Sequence, residues 1–215
     1  METCQPRELL AGDVSLTGAP FQNQIDPLDG DILDANGNPA VDPSSGFFRT
    51  SSRSFWSGVA DGNDIARGGA ASKIAYDSRS LKTTGSTGGV VELSAAGFAA
   101  ADLGIRATDY IRPGNVASGS LTASGLISWF YGRDLADADG DTVTAESRRD
   151  MGDPLHSRPV TVIYGGESAK PDLYDDALFV VTNDGVLHAI DPTNPSNDAA
   201  AGNEYWAFVP RELVG

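Results

Sequence analysis

The residues with most chemistry to offer are the carboxylates crowded into "DLADADGDTVTAE", residues 134–146. Asp137, Asp139 and Asp141 alternate around Gly140, and Glu146 follows. Hard carboxylate oxygens at this density suit Ca2+. With Gly140 as the turn glycine of a calcium loop, the three aspartates fall on the third, fifth and seventh loop positions and Glu146 on the twelfth. The first position is then Leu135, which has no ligand atom. Asp134 lies one residue early and replaces it only if the loop bulges. The expected metal set is therefore Asp137, Asp139, Asp141 and Glu146, with Ca2+ as the ion. The competing reading is a solvated acidic loop. "DANGN" (34–38) repeats the pattern with fewer charges and reads as a turn.

Other chemistries lack their residues. The two histidines, His156 and His188, make a poor zinc set with the single cysteine, Cys4, because neither CxxC nor HxxxH occurs. His156 stands in the proline-bracketed "GDPLHSRP" and is expected to bond to loop backbone. His188 lies between Leu187 and Ala189 in a strand-like run and is expected to be a packed, hydrogen-bonded core residue. No GxSxG elbow accompanies the many serines, and carboxylate pairs are too plentiful to single one out. Gly68-Gly69 has neither phosphate-loop spacing nor a GxGxxG context. No catalytic residue, organic cofactor or enzymatic activity is expected.

Composition narrows the partners. The formal net charge of −15 argues against nucleic acid and anionic membrane surfaces. One cysteine allows no internal disulfide, and no apolar run approaches the ~20 residues of a membrane helix. The start, "METCQPRELLAGD", lacks the basic and apolar regions of a signal peptide. Both ends read as interior to a longer secreted chain.

The elements that must position these residues change along the sequence. Residues 1–45 are acidic and turn-rich, with one short hairpin expected over Asn36-Gly37. Residues 46–82 carry Phe55 and Trp56 as apolar anchors, and 83–120 are rich in Gly, Ser, Thr and Ala. "AAGFAAADLGI" reads as a short helix. A better one lies within 120–137, where Leu126, Ile127, Trp129 and Phe130 form a helical stripe capped by Thr122 or Ser124. From 158 the pattern turns to strands: "RPVTVIYG", "ALFVVT", "VLHAID" and "EYWAFVP", with Asn183-Asp184-Gly185 as a hairpin turn. Leu178 and Val180 oppose Phe179 and Val181, so these strands are apolar on both faces. Such strands belong in a sheet covered on both sides, as in a propeller blade.

Three stretches together resemble one family. "SFWSGVADGNDIARGGAASKI" (54–74), "LISWFYGRDLADADGDTVTAESRRDMGDPLHSRPVTVIYG" (126–165) and "ALFVVTNDGVLHAIDPTN…NEYWAFVPREL" (177–213) are similar, in order, to the C-terminal domain of type IV pilus tip-associated adhesins of the PilY/PilC type. "GDPLHSRP" followed by "TNDGVLHAID" is the most specific part. The resemblance implies a mainly β fold. Residues 46–215 would form the N-terminal portion of a modified seven-bladed, quinoprotein-like β-propeller, with a clear blade at 158–215. It implies a surface-exposed, extracellular protein acting in pilus assembly and adhesion, with minor pilins and host or abiotic surfaces as partners. The calcium loop that members carry deeper in the propeller does not occur here. The alternative is part of a quinoprotein-type periplasmic dehydrogenase, or a propeller scaffold. At ~40–45 residues per blade, 158–215 holds little more than one blade and encloses no axial cofactor.

Overall fold

A computed structural model describes residues 30–62, 64, 67–106, 121–137, 139–154, 157–164, 176–193 and 199–214, together with the backbone of 24–25. Cys4 and His156 lie outside the described residues. The elements run in the order β1 (Gln24–Ile25), β2 (Ile32–Leu33), β3 (Leu81–Thr84), β4 (Val90–Glu92), α1 (Ala123–Phe130), β5 (Val160–Ile163), β6 (Asp176–Val181), β7 (Leu187–Ile190), β8 (Glu204–Phe208) and α2 (Arg211–Val214). β1 and β2 pair antiparallel. The other strands form one open, mixed six-stranded sheet ordered β4-β3-β8-β7-β6-β5. The fold is therefore mainly β.

Each strand seen between 158 and 210 falls within two residues of its expected place, and β5 to β8 lie side by side in chain order. Gly185, at φ +82°, closes the turn between β6 and β7, where the Gly185 and Thr182 amides bond to the Thr182 and Val186 carbonyls. Two features were not expected. β3 and β4 form a hairpin inside the Gly/Ser/Thr-rich stretch, with Lys82 opposite Glu92 and Thr84 opposite Val90. β3 also joins β8 in parallel, Leu81 beside Ala207. The short helix expected in "AAGFAAADLGI" is only a 3-10 turn at Ala95–Gly97, ended by Phe98 in extended backbone. Coverage on both faces holds for β7, where His188, Ala189 and Ile190 are all buried. It fails for β5, whose Val160, Val162 and Ile163 are exposed.

The chain forms two compact units that interleave in sequence: Met1–Lys73, His156–Val180 and Ile190–Asn203; and Ile74–Leu155, Val181–Ala189 and Glu204–Gly215. In the first, Phe55, Trp56, Leu178, Val180 and Ile190 are each buried, and the Phe55 and Trp56 rings lie 5.9 Å apart between centroids. Trp56 Nε1 donates to the Thr193 carbonyl at 3.1 Å. Its ring fills the space a Cβ at Gly202 would need, 2.5 Å from Trp56 Cγ. Asp61 organises the neighbouring loop: it accepts from the Ser54 amide and from the Ser54 and Ser57 hydroxyls. Gly68 admits that carboxylate, since a Cβ there would lie 1.6 Å from Asp61 Oδ2.

The second unit is built on Leu81, Leu93, Phe98, Ile127, Phe130 and Val209. α1 forms because Thr122 caps it, its Oγ1 accepting from the Gly125 amide at 3.0 Å, and because its apolar stripe has a core to enter. Ile127 and Phe130 are buried, with Leu126 and Trp129 packed partly against the same core.

Candidate metal centre

The acidic loop leaves α1 through Gly132, at φ +95°, and is pinched shut at its neck. Arg133 bridges Ser147, the Asp134 amide bonds to the Glu146 carbonyl at 2.9 Å, and the Arg148 amide bonds to the Gly132 carbonyl at 2.8 Å. This neck brings Asp134 and Glu146 together across twelve positions of sequence. Inside the loop, Asp137 and Thr142 take left-handed backbone, at φ 53° and 73°. Each aspartate also organises the chain after it. Asp137 Oδ1 accepts from the Thr142 amide, Asp139 Oδ1 from Asp141 and Asp141 Oδ1 from Val143. Such local turns draw side chains that are spread in sequence into one crowd.

Two overlapping groups result. Asp137, Asp139 and Asp141 each place a carboxylate oxygen within 4.8 Å of the other two, and so do Asp134, Asp139 and Glu146. All four expected ligands lie in this loop, but Glu146 belongs with Asp134 and Asp139 rather than with Asp137 and Asp141. Asp134, one residue early for a regular calcium loop, joins through the neck, while Leu135 stays out of the set. Asp139 belongs to both groups.

The electrostatics favour a cation. Asp137 is 2% exposed, and its Oδ2 has no hydrogen-bond partner. Glu146 Oε1 is likewise buried and unpartnered. Burial first, then repulsion from Asp141, Asp139 and Asp134, pushes the Glu146 carboxyl above the ordinary carboxylate range. A buried carboxylate oxygen without a donor is costly, and like charges in contact add to that cost. A divalent ion on these oxygens removes both penalties, and a set made only of oxygen ligands suits a hard ion such as Ca2+. These acidic groups are therefore able to hold a metal ion.

"DANGN" differs. Asp34 is buried, but its Oδ1 already accepts from the Asn36 and Asn38 amides. Although burial opposes it, these backbone bonds hold its carboxyl below the usual range. Its role is to shape the turn under the Leu33–Pro39 bridge.

His188 is buried inside an ionic network that sequence reading did not find. Its Nδ1 donates to Glu204 Oε1 at 2.7 Å, and its Nε2 meets Thr182 Oγ1 at 3.1 Å. Arg79 grips Glu204 with two bonds, Nε to Oε2 at 2.6 Å and Nη2 to Oε1 at 3.0 Å, and also donates to the Phe130 carbonyl. Burial would push the Glu204 carboxyl up. The bonds from His188 and Arg79, with the charge of Arg79, outweigh it and hold the carboxyl below the ordinary range. Glu204, His188 and Thr182 stand in the order of a nucleophilic triad. Thr182, however, is 4% exposed, and its hydroxyl bonds to Asp184 and to the Val186 carbonyl. The network braces β7, β8 and the lead-in to β3. Its one sequence signal was a histidine in an apolar strand; Arg79 lies 125 residues from Glu204.

No family model, curated protein or solved structure matches the chain.

Proposed function

We propose that this chain is a calcium-binding β-sheet module of a type IV pilus tip adhesin, acting in pilus assembly and surface adhesion without catalysis. The motif blocks from Ser54 to Leu213 support the family. The mainly β fold, with β5 to β8 adjacent in chain order, is compatible with one blade of a quinoprotein-like propeller. The observation that carries the metal reading is the buried, unpartnered Oδ2 of Asp137 within the acidic loop. Asp137, Asp139 and Asp141 would hold Ca2+, with Asp134 and Glu146 completing the oxygen set. The ion would tie the loop to its neck and stiffen a surface that meets minor pilins and host or abiotic surfaces.

Two experiments separate the parts of this reading. Calorimetric titration of the chelator-stripped chain with CaCl2 is expected to show saturable binding, at least about ten-fold weaker in Asp137→Asn. No binding heat in the wild-type chain overturns the metal site. Interrupting the gene in its host is expected to reduce surface pili and adhesion, with recovery on complementation. Normal piliation and adhesion overturn the adhesin reading.

A further inference from the structure

The network around His188 fixes where its hydrogens lie. His188 is 1% exposed, and both of its ring nitrogens have a partner. We propose that this ring is an imidazolium at neutral pH, protonated at both nitrogens, and that it works as a pH-sensitive latch on the turn at 182–185. The inference needs neither the metal site nor the adhesin reading.

The assignment follows from counting hydrogens. Nδ1 lies 2.7 Å from Glu204 Oε1. Arg79 holds that carboxylate with two bonds, so it is ionised and can only accept. Nδ1 therefore carries a hydrogen. Nε2 lies 3.1 Å from Thr182 Oγ1, a hydroxyl with a single hydrogen to give. Two groups that can only accept draw that hydrogen: Asp184 Oδ1, the closest, and the Val186 carbonyl at 3.1 Å. Turned toward either, the hydroxyl offers Nε2 only a lone pair. A bare Nε2 would then be an unmatched acceptor inside the core, which is unfavourable. With a hydrogen on Nε2, each contact from Glu204 through the ring and Thr182 to Asp184 is a donor meeting an acceptor.

Charge gives the same answer. Among the described residues, the charged groups in hydrogen-bond reach of the ring or of Thr182 are Glu204 on β8, Arg79 before β3 and Asp184 in the turn. Two carboxylates against one guanidinium leave one negative charge, which an imidazolium cancels. Arg79 Nη2 comes within 3.4 Å of Nδ1, but both donate to the same Glu204 Oε1, which offsets their repulsion.

The turn is what the proton controls. Thr182 is the partner of Nε2, so a ring that has lost its Nε2 hydrogen draws the hydroxyl hydrogen away from Asp184 and the Val186 carbonyl. Asp184 also accepts from the Val186 amide at 3.4 Å, and a Cβ at Gly152 would lie 2.7 Å from its Oδ1. Beside it, Asn183 and Asp153 exchange two bonds of 2.9 Å. The buried charge is thus joined to the loop at Gly152-Asp153, where Asp153 is exposed. The latch is closed while the ring is charged and opens as pH rises through the point where that proton leaves.

The test is NMR of the imidazole and amide groups of the full, nitrogen-15-labelled chain from about pH 6 to about pH 10, with His156→Gln separating the two ring signals. At pH 7 both His188 nitrogens are expected to resonate as protonated nitrogens. The Asn183 and Asp153 amides are expected to shift with the midpoint at which Nε2 loses its hydrogen. Asp184→Asn removes one carboxylate and should lower that midpoint by about one pH unit. Thr182→Val removes the acceptor for Nε2 and should lower it at least as far. A neutral ring with its hydrogen on Nδ1 alone at pH 7 overturns the imidazolium. A ring that stays charged across the range, or whose deprotonation leaves the Asn183 and Asp153 amides unmoved, overturns the latch. An unchanged midpoint in Asp184→Asn overturns the link from the ring to the turn. Should Thr182→Val fail to fold, the wild-type spectrum and Asp184→Asn decide.

Discussion

Glu204 and Glu146 are carboxylates with opposite perturbations, and they make opposite predictions. Glu204 is held below the ordinary range, so its bonds stabilise the fold fully above the unfolded value. That contribution is lost as pH falls through the lower native value. Glu204→Gln leaves Arg79 buried without its counter-charge and is expected to cost about 3–5 kcal/mol. Chemical denaturation of both chains from pH 7 down to pH 3 checks this: their stability gap should narrow at the acid end. Glu146 is held above the ordinary range, so in chelator the native state keeps its proton longer than the unfolded chain does. Its contribution to stability falls as pH rises between those two values. Glu146→Gln should therefore stabilise the metal-free chain at pH 7 and weaken its calcium response. A calcium-dependent rise in melting temperature that is unchanged by Glu146→Gln would remove Glu146 from the ligand set.

At the scale of elements, caps and close contacts decide what forms. α1 is eight residues long, too short to persist on propensity alone, so its Thr122 cap and apolar stripe carry it. Thr122→Ala is expected to cost about 1 kcal/mol, read from the urea midpoint at unchanged slope. Gly202 combines a φ of +79° with the Trp56 ring against its Cα. Gly202→Ala must displace that ring and is expected to cost about 1–3 kcal/mol, with altered tryptophan fluorescence. Retained stability and emission would show that the Trp56 packing is loose. Short runs of β-branched and aromatic residues bounded by turn chemistry made β5 to β8 and their hairpin legible. The β3–β4 hairpin was missed because threonine, glycine and serine dominate it, and only Leu81 and Thr83 alternate inward.

For the whole molecule, the open sheet is the governing feature, with β4 and β5 as its edges. Val90 and Val91 on one edge and Val160, Val162 and Ile163 on the other are exposed, β-branched and uncharged. Such edges pair with other chains unless a charge blunts them. The isolated chain is expected to associate as concentration rises. Val162→Lys should suppress this in light scattering, with stability changed by no more than about 0.5 kcal/mol. Monomeric scattering of the wild-type chain across that range would show that the edges are protected.

The sequence by itself determined the late strands, the capped helix, the hairpin turn at Asn183-Asp184-Gly185, the buried state of His188 and the acidic loop as the place where carboxylates able to hold a metal ion crowd together. Each depends on neighbours within a few residues, where periodicity and turn geometry act directly. Tertiary structure decided the parallel joining of β3 to β8, the Arg79–Glu204–His188 network and the entry of Asp134 into the acidic cluster. These depend on backbone pairing and burial across long stretches of chain. Such pairings leave no local periodicity, because the energy that selects them exists only once both partners have left water.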